Sequence, residues 1–144
     1  MSDETQSRLQ VFSGVVHPWH HDTFGHMNVR HYAALFDDAT FHLWSKIGLS
    51  HKQIQTDHGV HTVTAQASTT FIKELTHGDL VTIDGAVSRL GTKSVSFQLQ
   101  MHHAETGEKH AAYDTVEVFF DPNTRTSTAM PDAVRAILAK YAID

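Results

Sequence analysis

Asp22, Gly25 and His26 fall within five consecutive positions of the stretch His21-Asp22-Thr23-Phe24-Gly25-His26-Met27-Asn28. A carboxylate in such a stretch can work as a nucleophile or as a general base. Standing alone, the same Asp is ordinary turn chemistry, because Asp side chains bond backbone N–H groups close by. The residues after it change the balance. Asn28 is a good helix N-cap, since its side-chain oxygen can accept an N–H that the first turn leaves unpaired. A helix N-terminus offers free N–H groups and partial positive charge, which suits an anion or a developing oxyanion. An acid held beside it makes a catalytic arrangement. Gly25 can supply a positive φ angle or let a substrate approach the backbone closely. His26 can orient the acid, touch the substrate or cap the loop.

The elements that must position these groups are legible in the hydrophobic periodicity. Apolar residues recur at Tyr32, Phe36, Ala39, Leu43 and Ile47, spacings that put them on one face of a helix of about five turns, with Gly48 as its stop. Residues 8–16 read as a first strand carrying Leu9, Val11, Val15 and Val16, with Gly14 marking a bulge. Ser50 to Gln55 gives one more capped turn before Asp57-His58-Gly59 breaks it. From Thr62 to Asp121 the period is two. Val63, Ala65, Ala67, Thr69 and Phe71 point one way; Val81, Ile83 and Val87 come after the His77-Gly78-Asp79 turn. Val95, Phe97, Leu99 and Met101 come after Gly91, and Ala112, Val116, Val118 and Phe120 after Glu105-Thr106-Gly107. Four such segments joined by short turns predict an antiparallel meander with one buried face. Pro122 ends it, and Pro131 sits in the first turn of a last helix with Val134, Ile137, Leu138 and Tyr141 on its apolar side. The inner face of the sheet is the only apolar surface large enough to cover the long helix. The expectation is one α+β domain over residues 1–144, about five strands wrapped around one central helix, with residues 1–7 flexible.

Composition removes several function classes. The net charge of -5, without a basic run, argues against a nucleic-acid partner. No apolar run approaches membrane-spanning length, and the first ten residues lack a signal peptide's apolar centre. Cysteine is absent, which excludes thiolate chemistry and fits a cytoplasmic protein. Seven of the 13 histidines lie in or beside the opening stretch, yet they match no spacing that fixes a metal geometry, so no metal site is expected.

The order of first strand, D-x-x-G-H-x-N-x-x-x-Y loop, long helix and four-strand meander resembles the hotdog-fold acyl-CoA thioesterases of the 4-hydroxybenzoyl-CoA thioesterase type. The matching residues are Asp22, Gly25, His26, Asn28 and Tyr32, and the Glu74-Leu75-Thr76-His77-Gly78-Asp79 turn is similar to the family's segment ending in Gly-Asp. The likeness runs from about Leu9 to Leu138. It implies hydrolysis of an acyl-CoA thioester to a carboxylate and free CoA, with Asp22 as nucleophile or general base and the Val29 N–H as oxyanion donor. A second branch of the family carries a Glu on the central helix; Asp37 and Asp38 occupy the corresponding turns here, which favours Asp22. The implied reaction needs no metal or redox cofactor, CoA entering only as part of the substrate. Related enzymes form homodimers, often paired into tetramers, with sites at the subunit interface.

Around that centre, Trp19, Phe24 and Tyr32 are candidates for an acyl pocket, although core packing explains such aromatics as well. Lys73, Arg89 and Lys93, near strand ends, are the cations that could meet the phosphates of CoA. The central helix also carries Val29, Leu35, Phe41 and Trp44 off its regular stripe, and a five-stranded sheet leaves two open edges. Both features predict a homodimer as the minimal unit. Two other readings use the same fold: an acyl-thioester dehydratase or hydratase, and a non-catalytic acyl-CoA-binding module. The dehydratases' H-F-P-G-H signature is missing, Asp22-Thr23-Phe24-Gly25-His26 sharing only its last two letters.

Overall fold

The computed structural model describes residues 8–143, which leaves the segment 1–7 outside the described residues. The elements run β1 Leu9–Val15, α1 Val29–Lys46, α2 His51–His58, β2 His61–Phe71, β3 Leu80–Leu90, β4 Ser94–His103, β5 Lys109–Asp121, β6 Thr126–Ser127 and α3 Asp132–Ala139. Five strands form one antiparallel sheet in the order β1-β3-β4-β5-β2, and the two-residue β6 adds to β5. The sheet curls around α1, the hotdog architecture expected. Among the described residues no helix is long and apolar enough to cross a membrane.

The stripe on α1 does what its spacing requires. Tyr32, Phe36, Ala39 and Leu43 are buried, and Trp44 beside them packs edge-on against Phe97 of β4 with ring centroids 5.0 Å apart. Phe36 stacks on Tyr113 of β5, and Tyr32 meets the Phe71 ring edge-on at 5.0 Å. Gly85 lets the helix come this close: a Cβ there would stand 3.1 Å from Leu43 Cδ2 and 3.3 Å from Leu99 Cγ. The ends are set by side-chain chemistry. Asn28 Oδ1 accepts the Arg30 N–H at 3.1 Å, and Gly48, with φ +86°, turns the chain out of the helix.

Several local expectations are corrected. On β5 the buried face carries Ala111, Tyr113, Thr115, Glu117 and Phe119, while Ala112, Val116, Val118 and Phe120 lie on the other side. Pairing with β4 decides this, because Leu99 opposite Tyr113 and Met101 opposite Ala111 are buried residues. β2 contains a bulge at Ala65: Thr64 pairs with Glu117 and Gln66 with Val116, so Ala65 is the extra residue. Ala67, Thr69 and Phe71 therefore face inward as expected, but ahead of the bulge it is Thr62 and Thr64, not Val63, that oppose the buried Phe119 and Glu117. The bulge in β1 lies between Gln10 and Phe12 rather than at Gly14. α2 runs two turns to His58 under a Ser50–Gln53 capping box, and Pro131 is the N-cap of α3 instead of part of its first turn.

Candidate active site

The loop from Val16 to Asn28 joins β1 to α1 and passes through one 3-10 turn, Pro18–His20. It is hung on the connector between β2 and β3 at five points. Val16 N–H donates to Asp79 O at 2.9 Å, and Gly78 N–H returns a bond to Val16 O at 2.8 Å. Met27 N–H donates to Leu75 O at 2.7 Å, Thr76 Oγ1 to Gly25 O at 3.2 Å, and His77 N–H to His21 Nε2 at 2.8 Å. The Gly78-Asp79 turn is itself closed by Thr76 N–H on Asp79 Oδ2, 2.9 Å. This turn, in the sequence a simple reversal, is the bracket on which the Asp22 loop is mounted.

Asp22 is fixed by its own turn. Its Oδ1 accepts Phe24 N–H at 2.8 Å and His26 N–H at 3.2 Å, and its backbone N–H donates to His26 O at 2.8 Å. Oδ2 accepts from none of the described residues. The His26 and Phe24 N–H groups, with the His26 and His21 imidazoles adding to them, hold the carboxyl below the ordinary value of 3.8. Gly25 closes the turn with φ +80°, and a Cβ there would meet nothing within 4 Å. Its requirement is conformational rather than steric. Gly25→Ala should cost about 1–2 kcal/mol of left-handed backbone strain, read as a lower Tm, and Gly25→Asn should recover most of that loss. An unchanged Tm for the alanine variant would show that the φ angle is not why glycine stands there.

Asp22, His26, Val29, Tyr32 and Lys73 open on one hollow of about 330 Å³. The Val29 N–H, ahead of the first helical bond, has no acceptor among the described residues, because the Asn28 side chain takes the next N–H. His26 Nε2 lies 3.1 Å from Glu74 Oε2, and Lys73 Nζ lies 2.5 Å from Glu108 Oε2. Burial, with the charges of Glu74, Asp22 and Asp79 behind it, pushes the Tyr32 hydroxyl up, so it stays protonated and can donate. On the other side of Asp22 a shallower hollow of about 510 Å³ is bordered by Trp19, Asn28, Arg30 and His31. Trp19 is 71% exposed and stacks on His17 with centroids 4.2 Å apart. His20, below it, accepts the His17 N–H on Nδ1 at 2.9 Å. Burial first, and then the neighbouring His31, His17 and His21, keep its pKa below 6.5.

Nine of the eleven site residues expected from the sequence thus gather on this loop, the first turn of α1 and the connector. Four do not line a hollow with Asp22, Gly25 among them because it only closes the turn. Phe24 projects from the loop tip, 82% exposed. Arg89 borders a separate depression with Ser88 and Asp114, and Lys93 sits in the β3–β4 turn at the far end of β3. Conversely, Phe71, Ile72 and Glu74 border the Asp22 hollow although nothing in the sequence marks Phe71 or Ile72 as site residues. Glu74 had one available signal, since it opens the same segment as the Gly78-Asp79 turn.

Residues 16–138 match the family described as the thioesterase-like superfamily. No curated protein matches the chain. Among solved structures, a hypothetical protein of Staphylococcus aureus in complex with CoA is 22% identical, covering 93% of this chain and 84% of its own, with a TM-score of 0.81. A 1,4-dihydroxy-2-naphthoyl-CoA thioesterase from Synechocystis is 16% identical over 89% of this chain and 93% of its own, TM-score 0.76. A 12:0-ACP thioesterase from Umbellularia californica is 15% identical over 96% of this chain and 55% of its own, TM-score 0.81. At these identities what is shared is the fold.

Proposed function

The chain belongs to the thioesterase-like superfamily, and on that premise we propose that it hydrolyses an acyl-CoA thioester to a carboxylate and free CoA. One observation carries the reading: Asp22 has one oxygen pinned by two backbone N–H groups while its other oxygen and the first N–H of α1, at Val29, have no partner among the described residues, and Asp22 and Val29 line one hollow. The Val29 N–H is suited to the oxyanion that forms as the thioester carbonyl becomes tetrahedral. Asp22 acts in one of two ways. As general base it takes a proton from the attacking water, and the departing CoA sulfur leaves as thiolate and is protonated. As nucleophile its Oδ2 bonds to the acyl carbon, expels CoA and forms a mixed anhydride that water then cleaves. Neither route calls for a metal or a redox cofactor. Arg30 and Lys73, the latter paired with Glu108, border the hollows on the two sides of Asp22, which supports them as partners for the phosphates of CoA.

The CoA held by the Staphylococcus aureus protein and the CoA substrate named for the Synechocystis enzyme support CoA as the carrier. The Umbellularia enzyme, named for an acyl-ACP, supplies the alternative, so a carrier-protein thioester belongs in the assay. The test is release of free thiol from short, long, branched and aromatic acyl-CoAs. Binding of acyl-CoA without thiol release from any of them would replace hydrolysis with the binding-module reading.

The depressed pKa of Asp22 sets the expected acid limb of kcat/KM. The ionised form is the active one, so the midpoint of the acid limb attributable to this carboxylate should lie below 3.8. The same sign governs stability: the hydrogen bonds to Oδ1 contribute above 3.8 and are lost as the pH drops through the lower folded value. An acid limb that Asp22→Asn leaves in place, in whatever activity remains, would assign the limb to another group.

A further inference from the structure

We propose that the partly open hollow beneath β2 is a subsite for a small organic cation, an ammonium or quaternary ammonium group at the far end of the acyl substrate. The substrate clause rests on the hydrolase reading; the cation site does not. The hollow holds about 160 Å³ between α1, α2 and the β2–β5 edge of the sheet. Phe41, Trp44, Leu49 and Ile54 give it apolar and aromatic walls, and Glu117 and Asp37 give it charge. Glu117 stands on the inner face of β5 and is only 6% exposed. Its Oε2 accepts the Thr115 hydroxyl at 3.1 Å, while Oε1 accepts from none of the described residues. Neither Glu117 nor Asp37 forms an ion pair among those residues. The Thr40 hydroxyl, also in the wall, is already donated to Phe36 O at 2.8 Å, and the His51 ring at the rim stacks on His61.

A largely buried carboxylate with one hydrogen bond and no counter-ion among the described residues leaves Oε1 to face a cation that enters the hollow. The walls suit such a cation, because aromatic faces attract ammonium groups, and quaternary ammonium ligands are bound in cages of this composition. Size agrees as well. A protein cavity of about 150 Å³ takes up a benzene ring, so a trimethylammonium head fits here. The hollow begins at Asp37, eight residues along α1 from Val29, which is about 12 Å at the rise of an α-helix. That is the distance along α1 that the acyl chain of such a substrate would have to bridge.

Choline and its neutral isostere 3,3-dimethylbutan-1-ol separate charge from shape. The protein has two tryptophans, so two indole N–H signals report in the nitrogen-labelled protein, Trp44 in the wall and Trp19 outside it. Choline should move the Trp44 signal saturably and leave Trp19 still, binding at least about tenfold tighter than the alcohol, which is 1.4 kcal/mol. Glu117→Gln, isosteric and checked by its melting curve, should abolish that preference, and Asp37→Asn should weaken it. Equal binding of alcohol and choline, an unmoved Trp44 signal, or a preference that survives Glu117→Gln would overturn the cation site. Hydrolysis of an acyl-CoA ending in trimethylammonium, compared with one ending in tert-butyl, tests the substrate clause. A kcat/KM preference for the cation that Glu117→Gln removes supports it. Hydrolysis of both at equal kcat/KM overturns the clause and spares the hydrolase reading; choline binding with hydrolysis of no acyl-CoA overturns the hydrolase reading and spares the site.

Discussion

Asp22→Asn should lower kcat by about 10²–10⁴-fold while leaving the protein folded, the range expected when a positioned acid–base group is removed. The structure makes this substitution a clean one. The amide oxygen can still accept the Phe24 and His26 N–H groups that now bond to Oδ1, so the turn keeps its framework. What disappears is the free carboxylate oxygen, and an amide is a poor base and a poor nucleophile. Acyl-CoA binding should therefore persist in the variant, with kcat rather than affinity taking the loss. Turnover within about threefold of the parent would remove Asp22 from the chemical step. Pre-steady-state kinetics on the parent divide the two routes, since a burst of thiol ahead of carboxylate marks a covalent acyl-enzyme.

Thr69→Pro should convert a two-fold dimer into monomers and cost the reaction about 10²-fold, the scale of a misassembled site. β2 is an edge strand, and Val63 and Phe71 along it, with Ile72 just past its end, are each about half exposed. Phe41 on the neighbouring side of α1 is exposed too. Ile72 donates its N–H to His110 O on β5 at 3.0 Å, so by antiparallel alternation the amides of Thr69 and Ala67 point away from β5, toward the open edge. A second copy pairing there would need them. Proline removes that one donor without touching the β2–β5 ladder, which is the position where an edge strand tolerates it. Antiparallel pairing of β2 with its mate brings the Phe71 end of one subunit, with its Asp22 hollow, beside the Thr62 end of the other. Light scattering reads the mass directly. A parent protein that stays a 16.1 kDa monomer with full activity would sink both the dimer and the shared site.

Most of the architecture is legible in the chain because it rests on long, regular periods. The α1 stripe and the alternation in β4 survive intact, and that in β3 holds as far as Val87, ahead of a bulge at Ser88, since a misplaced residue there would put a charge or a void in the core. β5 reads on the wrong face for a physical reason. Its inner side carries Thr115 and Glu117 next to the hollow, while Val116, Val118 and Phe120 on the outer side look like core. A strand whose buried face serves a polar hollow inverts the usual signal. The Asp22 loop is legible because its chemistry is local: an Asx turn, a glycine at positive φ and an N-cap lie within seven residues. Glu74 on His26 and the bracket of residues 75–79 are contacts across about 50 residues of chain, which no spacing rule reaches. The same gap explains Arg89 and Lys93, cations near strand ends when only the fold can say which end.

The bulge at Ala65 has an evolutionary consequence. It divides β2 into two half-strands whose faces are set separately: residues 66–71 hold the edge and the Asp22 hollow, and residues 61–64 cover the inner hollow. Sliding residues 61–64 by one place along β5, so that the extra residue is absorbed, would withdraw Thr62 and Thr64 and present Val63 to that hollow instead. The rest of the strand would not notice. A lineage could in this way exchange a polar hollow for an apolar one by a single step of register, with the Asp22 loop and the outer edge of β2 inherited unchanged.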